Sequence, residues 1–585
     1  MTTPAPALPT ALLFDARSRR WLRFERPLAV LETRRLADVP ALLERVERET
    51  ARGNRWAAGF LAYEAAPAFD RALLVRSPDP ALPLAWFALF GEPAEEPRAG
   101  WPAPPAVPPP DWTPSVDEAS YSLAIARVKD HIRRGDTYQV NYTLRLRAPF
   151  DRPAADLFPI LIDAQEPAYG ALIETADWAL CSASPELFLD WEGDGLCSKP
   201  MKGTRPRGRF PEADRQLAAD LLAAEKDRAE HVMIVDMVRN DLGRLARVGS
   251  VTVDRPFAVE GYPTLWQMTS EVRCSTGAGF AEILAATFPA ASITGAPKAS
   301  TMSIISELET APRGIYTGAL GFVAPGRRAQ LNVAIRTVRI DKKNGLAEYG
   351  TGGGIVWDSA ADAELDECRV KARILTRRLP PFELLETLLW TPDGGIFLLE
   401  RHLDRLADSA GYFGFTLGRE ALRDLVRETV QALPPAPHRI RLVVPRNGPP
   451  ALGAEPLKPL PSPYRVGIAR QPVDRADPFL YHKTTRRQLY DQARRDRPDC
   501  DDVLLWNPDG ELTESTIANV LVEIGGAWFT PPVSAGLLGG VYRAELLARG
   551  AIRERPIRLE ELAGRRIRLF NSVRREWAAV LCPGS

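Results

Sequence analysis

The stretch SPELFLDWEGDGLCSKPMKGT, residues 184–204, carries the side chains that are best suited to covalent chemistry. Glu186 lies in a Ser-Pro-Glu turn, and Lys202 lies between a methionine and a glycine, where a regular strand would end. Burial lowers the pKa of a lysine and makes its neutral amine available as a nucleophile. A carboxyl group with a raised pKa in the same cleft can serve as general acid. The same residues would also fit an ordinary surface β-hairpin that turns at 192–195.

Further along the chain, carboxylates recur in settings that need a partner. Glu230 precedes an apolar segment, so its charge requires compensation, and a hard cation such as Mg²⁺ with oxygen ligands suits it. Asp227 fits equally well as an ordinary solvent-exposed residue on the charged face of a helix. Glu364, Glu367 and Lys371 follow one another at i, i+3 and i+7 and therefore share one helix face. The two carboxylate segments together predict a magnesium site.

Two glycine-containing stretches could hold an anion. The sequence ASITGAPK at 291–298 leads into a helix, and a proline at a helix start leaves backbone N–H groups exposed to a ligand. The sequence GTGGGI at 350–355 indicates a close backbone turn, although glycine clusters are more often simple turns.

SPELF followed by PMKGTRPRG resembles the chorismate-utilising enzymes, which include anthranilate synthase large subunits, isochorismate and salicylate synthases, and aminodeoxychorismate synthase component I. The resemblance runs from about Gly59 to Leu379 and implies chorismate as substrate and a two-sheet β-sandwich core with surrounding helices. A lysine at the position of Lys202 is typical of aminodeoxychorismate synthases, where anthranilate synthases have a small alanine. Gln139 stands where isochorismate and salicylate synthases have a water-activating lysine, so hydration is disfavoured.

The resemblance also implies roles for individual side chains. Glu186 would be the general acid and Lys202 the covalent nucleophile, and Glu230 and Glu367 would bind Mg²⁺. Gln267, in WQMTS, departs from the histidine typical of anthranilate synthases, so no catalytic role is carried over to it. The implied substrate contacts are Thr294, Tyr316, Arg336, Gly352 and Lys371.

From Phe382 the chain resembles a second family, the fold-type IV pyridoxal-phosphate enzymes. The matching pieces FELLET, LERHLDRL, YHKTTR, GELTESTIAN and TPPVSAGLLGGV appear in the family's order. The resemblance implies that Lys483 bonds the cofactor, that Glu514 hydrogen-bonds its pyridine nitrogen, and that Arg405 with the Gly540–Val541 backbone holds its phosphate. The segment FNSVR at 570–574 favours a lyase over a transaminase. The match starts at the FELLET strand, without the strands that usually precede it.

The two resemblances imply a multidomain protein of the α+β/α/β class. Its domains are expected at 1–379 and 380–585, and a proline-rich loop is expected at 92–114. Together they imply amination of chorismate to 4-amino-4-deoxychorismate, then pyridoxal-phosphate-dependent loss of pyruvate to give 4-aminobenzoate for folate synthesis. The alternatives are an anthranilate synthase large subunit fused to an aminotransferase-like domain, or a catalytically silent half. No cysteine has the setting of a glutaminase nucleophile, so ammonia is expected from solution or from a separate glutamine amidotransferase subunit. The second domain suggests a homodimer.

Composition excludes several other classes of function. The 75 basic and 75 acidic residues cancel, which argues against nucleic acid as a partner. No apolar run reaches the roughly 18 residues of a membrane span, and the N-terminus does not resemble a signal peptide. Six scattered cysteines and five histidines predict a reduced cytoplasmic protein without structural zinc.

Local patterns predict several elements. Helices are expected at 39–50, from a Ser115 cap to Gly135, and as one long helix at 212–244. The proline-rich stretch 445–463 is expected to be a surface loop.

Overall fold

The computed structural model describes residues 8–98, 101, 108–376, 380–446 and 448–582. Part of the predicted loop 92–114 and the predicted domain boundary at 379/380 lie outside the described residues. The chain divides into two compact units. The first comprises Met1–Pro206 and Ala218–Leu379, and the second comprises Arg207–Leu217 and Pro380–Ser585.

The first unit contains most of the strands. Its helices are α1 Val39–Ala51, α2 Glu118–Arg134, α3 Ala154–Gln165, α4 Pro211–Ala223 (whose first turns belong to the second unit), α5 Glu225–Gly243, α6 Phe280–Thr287, α7 Lys298–Leu308 and α8 Ala361–Ala372. Its strands are β1 Thr10–Asp15, β2 Arg20–Phe24, β3 Ala29–Thr33, β4 Trp56–Leu61, β5 Ala85–Phe90, β6 Ala94–Glu96, β7 Thr113–Pro114, β8 Gln139–Pro149, β9 Tyr169–Glu174, β10 Trp178–Ser184, β11 Leu187–Glu192, β12 Gly195–Lys199, β13 Met201–Pro206, β14 Thr252–Gly261, β15 Leu265–Ser275, β16 Gly295–Ala296, β17 Ala319–Ala324, β18 Arg328–Val333, β19 Thr337–Asp341 and β20 Leu346–Ile355.

These strands form two ten-stranded sheets. One has the order β16-β8-β20-β19-β10-β9-β1-β2-β6, with β7 paired to β8 as its tenth strand. The other has the order β13-β15-β12-β11-β18-β17-β4-β5-β3, with β14 paired to β15. Apolar side chains from both sheets, including those of Phe60, Trp86, Trp178 and Phe322, pack into one core. Strand β5 is buried at every position, as expected for a continuous apolar run. The predicted two-sheet core with surrounding helices is confirmed.

The second unit follows with its own sheets. Its helices are α9 Leu399–Phe413, α10 Arg419–Gln431, α11 Gln488–Asp496 and α12 Val541–Ala548. Its strands are β21 Leu384–Thr391, β22 Gly395–Ile396, β23 His438–Val444, β24 Ala451–Pro456, β25 Tyr464–Ile468, β26 Asp502–Trp506, β27 Leu512–Ser515, β28 Asn519–Ile524, β29 Ala527–Thr530, β30 Arg553–Glu554, β31 Ile567–Asn571 and β32 Arg575–Leu581. They form a four-stranded sheet, β22-β21-β23-β24, and an eight-stranded sheet, β27-β26-β25-β32-β31-β28-β29-β30.

Three local predictions need correction. Helix α2 starts at Glu118 with Asp117 as its cap, because the Asp117 side chain accepts from Ser120 N; the Ser115 hydroxyl instead accepts from Arg145 N. The long helix at 212–244 is two helices, because the backbone is extended at Ala224, where no glycine or proline signals a break. The stretch 445–463 contains β24, whose backbone pairs with β23.

Cysteine chemistry also differs from the expectation. Cys500 and Cys582 form a disulfide, while Cys181, Cys197, Cys274 and Cys368 are free and buried. None of the helices within the described ranges combines the length and apolar character needed to cross a bilayer.

Candidate active sites

A polar cleft of about 390 Å³ opens in the first unit. Strands β13 and β20 and helices α5 and α8 supply much of its lining. It brings together nearly all residues that the sequence assigned to the first site: Glu186, Lys202, Glu230, Tyr316, Arg336, Gly352, Glu367 and Lys371.

Lys202 reaches this cleft from β13. An ideal Cβ built on Gly354 would lie 3.2 Å from Lys202 Nζ, so the amine lies close to the run of glycines at 352–354 in β20. Burial, and next the nearby positive charge of Lys371, lower the pKa of Lys202 below its ordinary value, against the opposing effect of three glutamates. The lysine is therefore biased toward the neutral, nucleophilic form.

Glu186 is fully enclosed beside that amine. Its side chain is 3 % exposed. Burial raises its pKa to about 7, although a hydrogen bond from Ser292 and the charge of Lys202 oppose the shift. A carboxyl group with this pKa is partly protonated near neutral pH and can donate a proton to a leaving group.

A set of carboxylates forms the opposite wall. Burial raises the pKa of Glu230 against the opposing positive charges of Lys202 and Lys226, and the negative charges of Asp227 and Glu364 add to the rise. Lys371 Nζ lies 2.7 Å from Glu367 Oε1 and holds the pKa of that carboxyl below its usual range. Like charges facing one another in a partly buried cleft are relieved by a bound cation.

The donor set of this wall fits Mg²⁺. Among the described residues, no three acidic, histidine or cysteine ligand atoms in the cleft lie within 4.8 Å of one another. Mg²⁺ is typically held by one or two carboxylates and keeps water or substrate oxygens as its other ligands. Glu230 and Glu367 can supply those two carboxylates.

Four of the five predicted substrate contacts, Tyr316, Arg336, Gly352 and Lys371, line the cleft. Arg336 is held by Gln165, since Nη1 donates to Gln165 Oε1 at 3.1 Å, and Lys371 Nζ donates to Gly352 O at 2.8 Å. Tyr316 packs so closely on β20 that a Cβ on Gly350 would lie 2.1 Å from its ring. These residues line the cleft.

Thr294 lies behind the cleft wall. Its side chain is fully buried, and its hydroxyl donates to Ala291 O at 3.2 Å. The residues of this stretch that line the cleft are Ser292, the partner of Glu186, and Ile293. A substrate contact from Thr294 stays a prediction.

The contact between Gln139 and the surroundings of Lys202 could not be predicted from the sequence. Gln139 is 1 % exposed, and neither atom of its amide has a hydrogen-bond partner. Its Nε2 would lie 2.1 Å from a Cβ on Gly354, beside Lys202. The alternation of polar and apolar residues in β8 places Gln139 on the polar side of the strand and gives no sign of burial. Only the pairing of β8 with β20 shows that Gln139 is enclosed and what it touches.

The second unit gathers its own titratable groups around Lys483. Burial, and next the charge of Arg405, lower the pKa of Lys483 to about 8. Glu514 is 5 % exposed and accepts a hydrogen bond from the hydroxyl of Tyr490 at 3.0 Å, and burial raises its pKa to about 7. A buried amine and a buried carboxyl that titrate near neutrality suit proton transfer.

The predicted phosphate cradle is also assembled. Gly540 is the N-cap of α12, which begins at Val541, so the first N–H groups of this helix are available to an anion. A Cβ on Gly540 would lie 2.0 Å from Asn519 Oδ1, so only glycine fits. Arg405 lines the same pocket of about 590 Å³. Arg405 and the start of α12 suit the phosphate of pyridoxal phosphate. Lys483 and Glu514 do not line this pocket, and Lys483 is linked to it through Arg405, whose charge lowers its pKa.

Arg405 is oriented by residues that the sequence did not single out. Its Nε and Nη2 donate to the two carboxylate oxygens of Glu386 at 2.8 and 2.7 Å. His402 Nδ1 lies 2.7 Å from the same carboxylate, while its Nε2 is buried and has no partner. The i, i+3 spacing of His402 and Arg405 on α9 is the signal that they share a face.

Comparison with known proteins identifies the first unit. The chorismate binding enzyme family matches residues 10–377. The chain belongs to the chorismate binding enzymes. The aminotransferase class IV family matches residues 383–581, so a fold-type IV domain, which implies pyridoxal phosphate, follows the chorismate-binding enzyme fold.

Relatives of the first unit carry two different activities in their names. Anthranilate synthase component 1 1 of Haloarcula marismortui is 44% identical over 259 residues, 44% of this chain and 52% of that protein. Aminodeoxychorismate synthase component 1 of Bacillus subtilis is 39% identical over 264 residues, 45% of this chain and 56% of that protein. The chain thus spans about half the length of these curated relatives.

A solved structure shares the fold. Anthranilate synthase component I from Streptococcus pneumoniae TIGR4 superposes with a TM-score of 0.54 at 24% identity, covering 64% of this chain and 93% of that one.

Proposed function

We propose that the chain converts chorismate and ammonia to 4-amino-4-deoxychorismate in its first domain, 1–379. Its second domain, 380–585, converts that product to 4-aminobenzoate and pyruvate. The observation that carries this proposal is the half-buried Lys202, which lines one cleft together with Glu186, Glu230 and Glu367.

In the first reaction, Lys202 and Glu186 act together. The neutral amine of Lys202 forms a bond to C2 of chorismate, the two ring double bonds shift from C1=C2 and C5=C6 to C1=C6 and C4=C5, and the C4–O bond breaks. Glu186 gives its proton to the departing oxygen, which leaves as water. Ammonia then bonds to C4 and expels the Lys202 amine, and the Glu186 carboxylate takes up the extra proton of the new ammonium group.

The anions of chorismate need fixed positive charge. When bound, Mg²⁺ would supply positive charge to the ring carboxylate. Glu230 and Glu367 would hold the ion, and Lys371 keeps the Glu367 carboxylate ionised. Arg336, fixed by Gln165, suits the enolpyruvyl carboxylate together with Tyr316.

The alternative is an anthranilate synthase large subunit fused to an aminotransferase-like domain, and the name of one relative favours it. Lys202 argues against it, because the covalent step at C2 directs ammonia to C4. Gln139 argues against hydration, because an amide cannot activate water as a base.

In the second domain, pyridoxal phosphate would supply an electron sink for bonds broken next to the substrate amine. Arg405 and the start of α12 suit its phosphate, and Glu514 can keep a proton on its ring nitrogen. Lys483, with a pKa of about 8, can take the proton from C4. Loss of the enolpyruvyl group as pyruvate then makes the ring aromatic.

The source of ammonia is part of the proposal. The four free cysteines are buried, which does not suit a glutaminase nucleophile. We infer that a separate glutamine amidotransferase subunit delivers ammonia, and that the second domain forms a homodimer as its family does. An assay with glutamine as the sole nitrogen source would contradict the first inference if the purified chain were fully active.

One incubation tests the whole proposal. The full chain is mixed with chorismate, ammonium and Mg²⁺, with and without pyridoxal phosphate, and products are identified by mass spectrometry and chromatography against standards. We expect 4-amino-4-deoxychorismate without the cofactor and 4-aminobenzoate with it. Anthranilate as the main product would support the alternative instead.

A further inference from the structure

Strand β13 carries an irregularity at the residue next to the nucleophilic lysine. Lys202 is opposite Met268 of β15, and Thr204 is opposite Gln267. Gly203 is therefore an extra residue, a β-bulge, and its φ of +78° requires glycine.

The bulge decides which way Lys202 points. Gln267 and Met268 are neighbours on β15, so their side chains lie on opposite faces. Thr204 and Gln267 line the cleft, whereas Met268 is fully buried. In a regular strand Lys202 would face away from the cleft together with its paired residue, Met268. Lys202 nevertheless lines the cleft. Bulges re-aim side chains in this manner.

The side chain of Gln267 holds the bulge in place. Its Nε2 donates to Gly203 O at 3.1 Å, which gives the carbonyl of the extra residue a partner. Its Oε1 accepts a weaker bond from Thr204 Oγ1 at 3.5 Å. Gln267 is 8 % exposed, so an unpaired carbonyl here would lack bulk water.

We propose that Gln267 is a positioning residue for Lys202, acting through its hydrogen bond to the Gly203 carbonyl. The inference rests on the proposed function, in which Lys202 attacks chorismate. Without the amide, the bulge relaxes and the Lys202 amine leaves its buried position over Gly354. The rate of the covalent step falls, and the amine regains a pKa closer to that of an exposed lysine.

The test compares three variants of the full chain with chorismate and ammonium. Gln267→Met keeps the length of the side chain but removes the donor. Gln267→His offers an N–H donor and should restore part of the rate. Gln330→Met is the matched control, because Gln330 is also a buried glutamine that donates to a backbone carbonyl, Phe14 O at 2.8 Å, outside the cleft.

We expect Gln267→Met to lower kcat about 10- to 100-fold, with KM for chorismate changed less than about threefold. The acidic limb of its pH profile should move to higher pH. Gln330→Met should leave both unchanged. If Gln267→Met does not fold, as judged by circular dichroism, Gln267→Leu replaces it, since an alkyl side chain cannot donate and adds no charge near Lys202.

The outcomes separate the two proposals. Wild-type activity in Lys202→Ala would overturn the proposed function itself. A large loss in Lys202→Ala, together with an unchanged rate and pH profile in Gln267→Met, would overturn only the positioning role. A lower kcat with an unmoved acidic limb would also contradict it, because the loss would then not act through Lys202.

Discussion

The Lys202 amine and the Gln139 amide meet over the same glycine. A Cβ on Gly354 would lie 3.2 Å from Lys202 Nζ and 2.1 Å from Gln139 Nε2. The amide has no hydrogen-bond partner, and the half-buried Lys202 lies in the cleft wall against the backbone of β20. This arrangement explains the lowered pKa of Lys202 better than any neighbouring charge alone, because burial is its largest cause.

Gly354→Ala should therefore disable the first reaction without unfolding the chain. The new methyl group displaces Gln139 and Lys202, and a displacement of about 1 Å can reduce a rate about 100-fold. Gly353→Ala is the matched control, because its Cβ meets only the flexible side-chain ends of Glu364, at 3.1 Å, and Lys371, at 3.9 Å. Rates with chorismate and ammonium, beside circular dichroism, check the prediction. Equal rates for the two variants would contradict it.

Lys202→Ala should lower formation of 4-amino-4-deoxychorismate about 100-fold or more, because neither of the other two lysines that line the cleft is placed to replace the nucleophile. Lys226 is exposed to solvent. Lys371 is already paired with Glu367 and Gly352 O. Any remaining amination should give the C2 product, anthranilate. Mass spectrometry of wild-type chain trapped during turnover should detect chorismate-derived mass on the peptide that contains Lys202. Absence of that mass, with an active variant, would refute covalent catalysis.

The pH dependence of the first reaction should be bell-shaped. Glu186 must be protonated to act as general acid, so the rate falls as pH rises through its pKa of about 7. Lys202 must be neutral, so the rate falls on the acidic side as the amine gains a proton. The profile is measured at constant free ammonia.

Ser292→Ala should move only the basic limb of that profile. The hydrogen bond from Ser292 lowers the pKa of Glu186, so its removal raises the pKa and shifts the limb to higher pH. An unmoved basic limb would show that Glu186 is not the acid.

Sequence reasoning named most of the residues that gather in the two candidate sites, but not the contacts that surround them. Glu186 and Lys202 stand in a compact motif, and Glu367 and Lys371 are related by helix periodicity, so each could be read from the chain. Gln139, on the other hand, meets Lys202 only through the pairing of β8 with β20. Such long-range register leaves no local signal.

The same limit applies to the fold. Buried strands such as β5 and short amphipathic helices such as α1 follow from apolar patterns. The break at Ala224 does not follow from such a pattern, because the local sequence favours a helix and tertiary contacts override that preference. One such contact is the hydrogen bond that Asp227 accepts from Arg205 at 2.6 Å. Neither the disulfide Cys500–Cys582 nor the grouping of 207–217 with the second unit leaves a pattern in the sequence.

Glu514→Gln should separate cofactor binding from the second reaction. Arg405 and the start of α12 are unchanged, so pyridoxal phosphate should still bind, as followed by its absorbance on titration. Glutamine carries no ionisable proton, so formation of 4-aminobenzoate from 4-amino-4-deoxychorismate should fall about 100-fold. Tyr490→Phe is the control: it removes only the hydrogen bond that lowers the pKa of Glu514 and should cost less than about tenfold. Equal losses in both variants would contradict the assigned role.

Glu386→Ala should destabilise the second unit. Burial alone would raise the pKa of Glu386, but Arg405 and His402 outweigh it and hold the pKa well below its usual range. Removing one partner leaves a buried guanidinium unpaired and costs about 3–5 kcal/mol. The exposed pair Arg439–Glu455 offers the control, since Glu455→Ala should change stability by less than about 1 kcal/mol.

Hydrogen exchange of the β21 amides in the apo chain measures this free energy within the second unit. Because the folded pKa of Glu386 is depressed, its contribution is present above the unfolded pKa and is lost only as pH falls through the folded value. The difference between wild type and Glu386→Ala should therefore stay constant between about pH 5 and pH 8. A difference that vanished within this range would show that the carboxylate is not ionised against Arg405. The same protection in Glu386→Ala and Glu455→Ala would show that the buried ion pair does not stabilise β21.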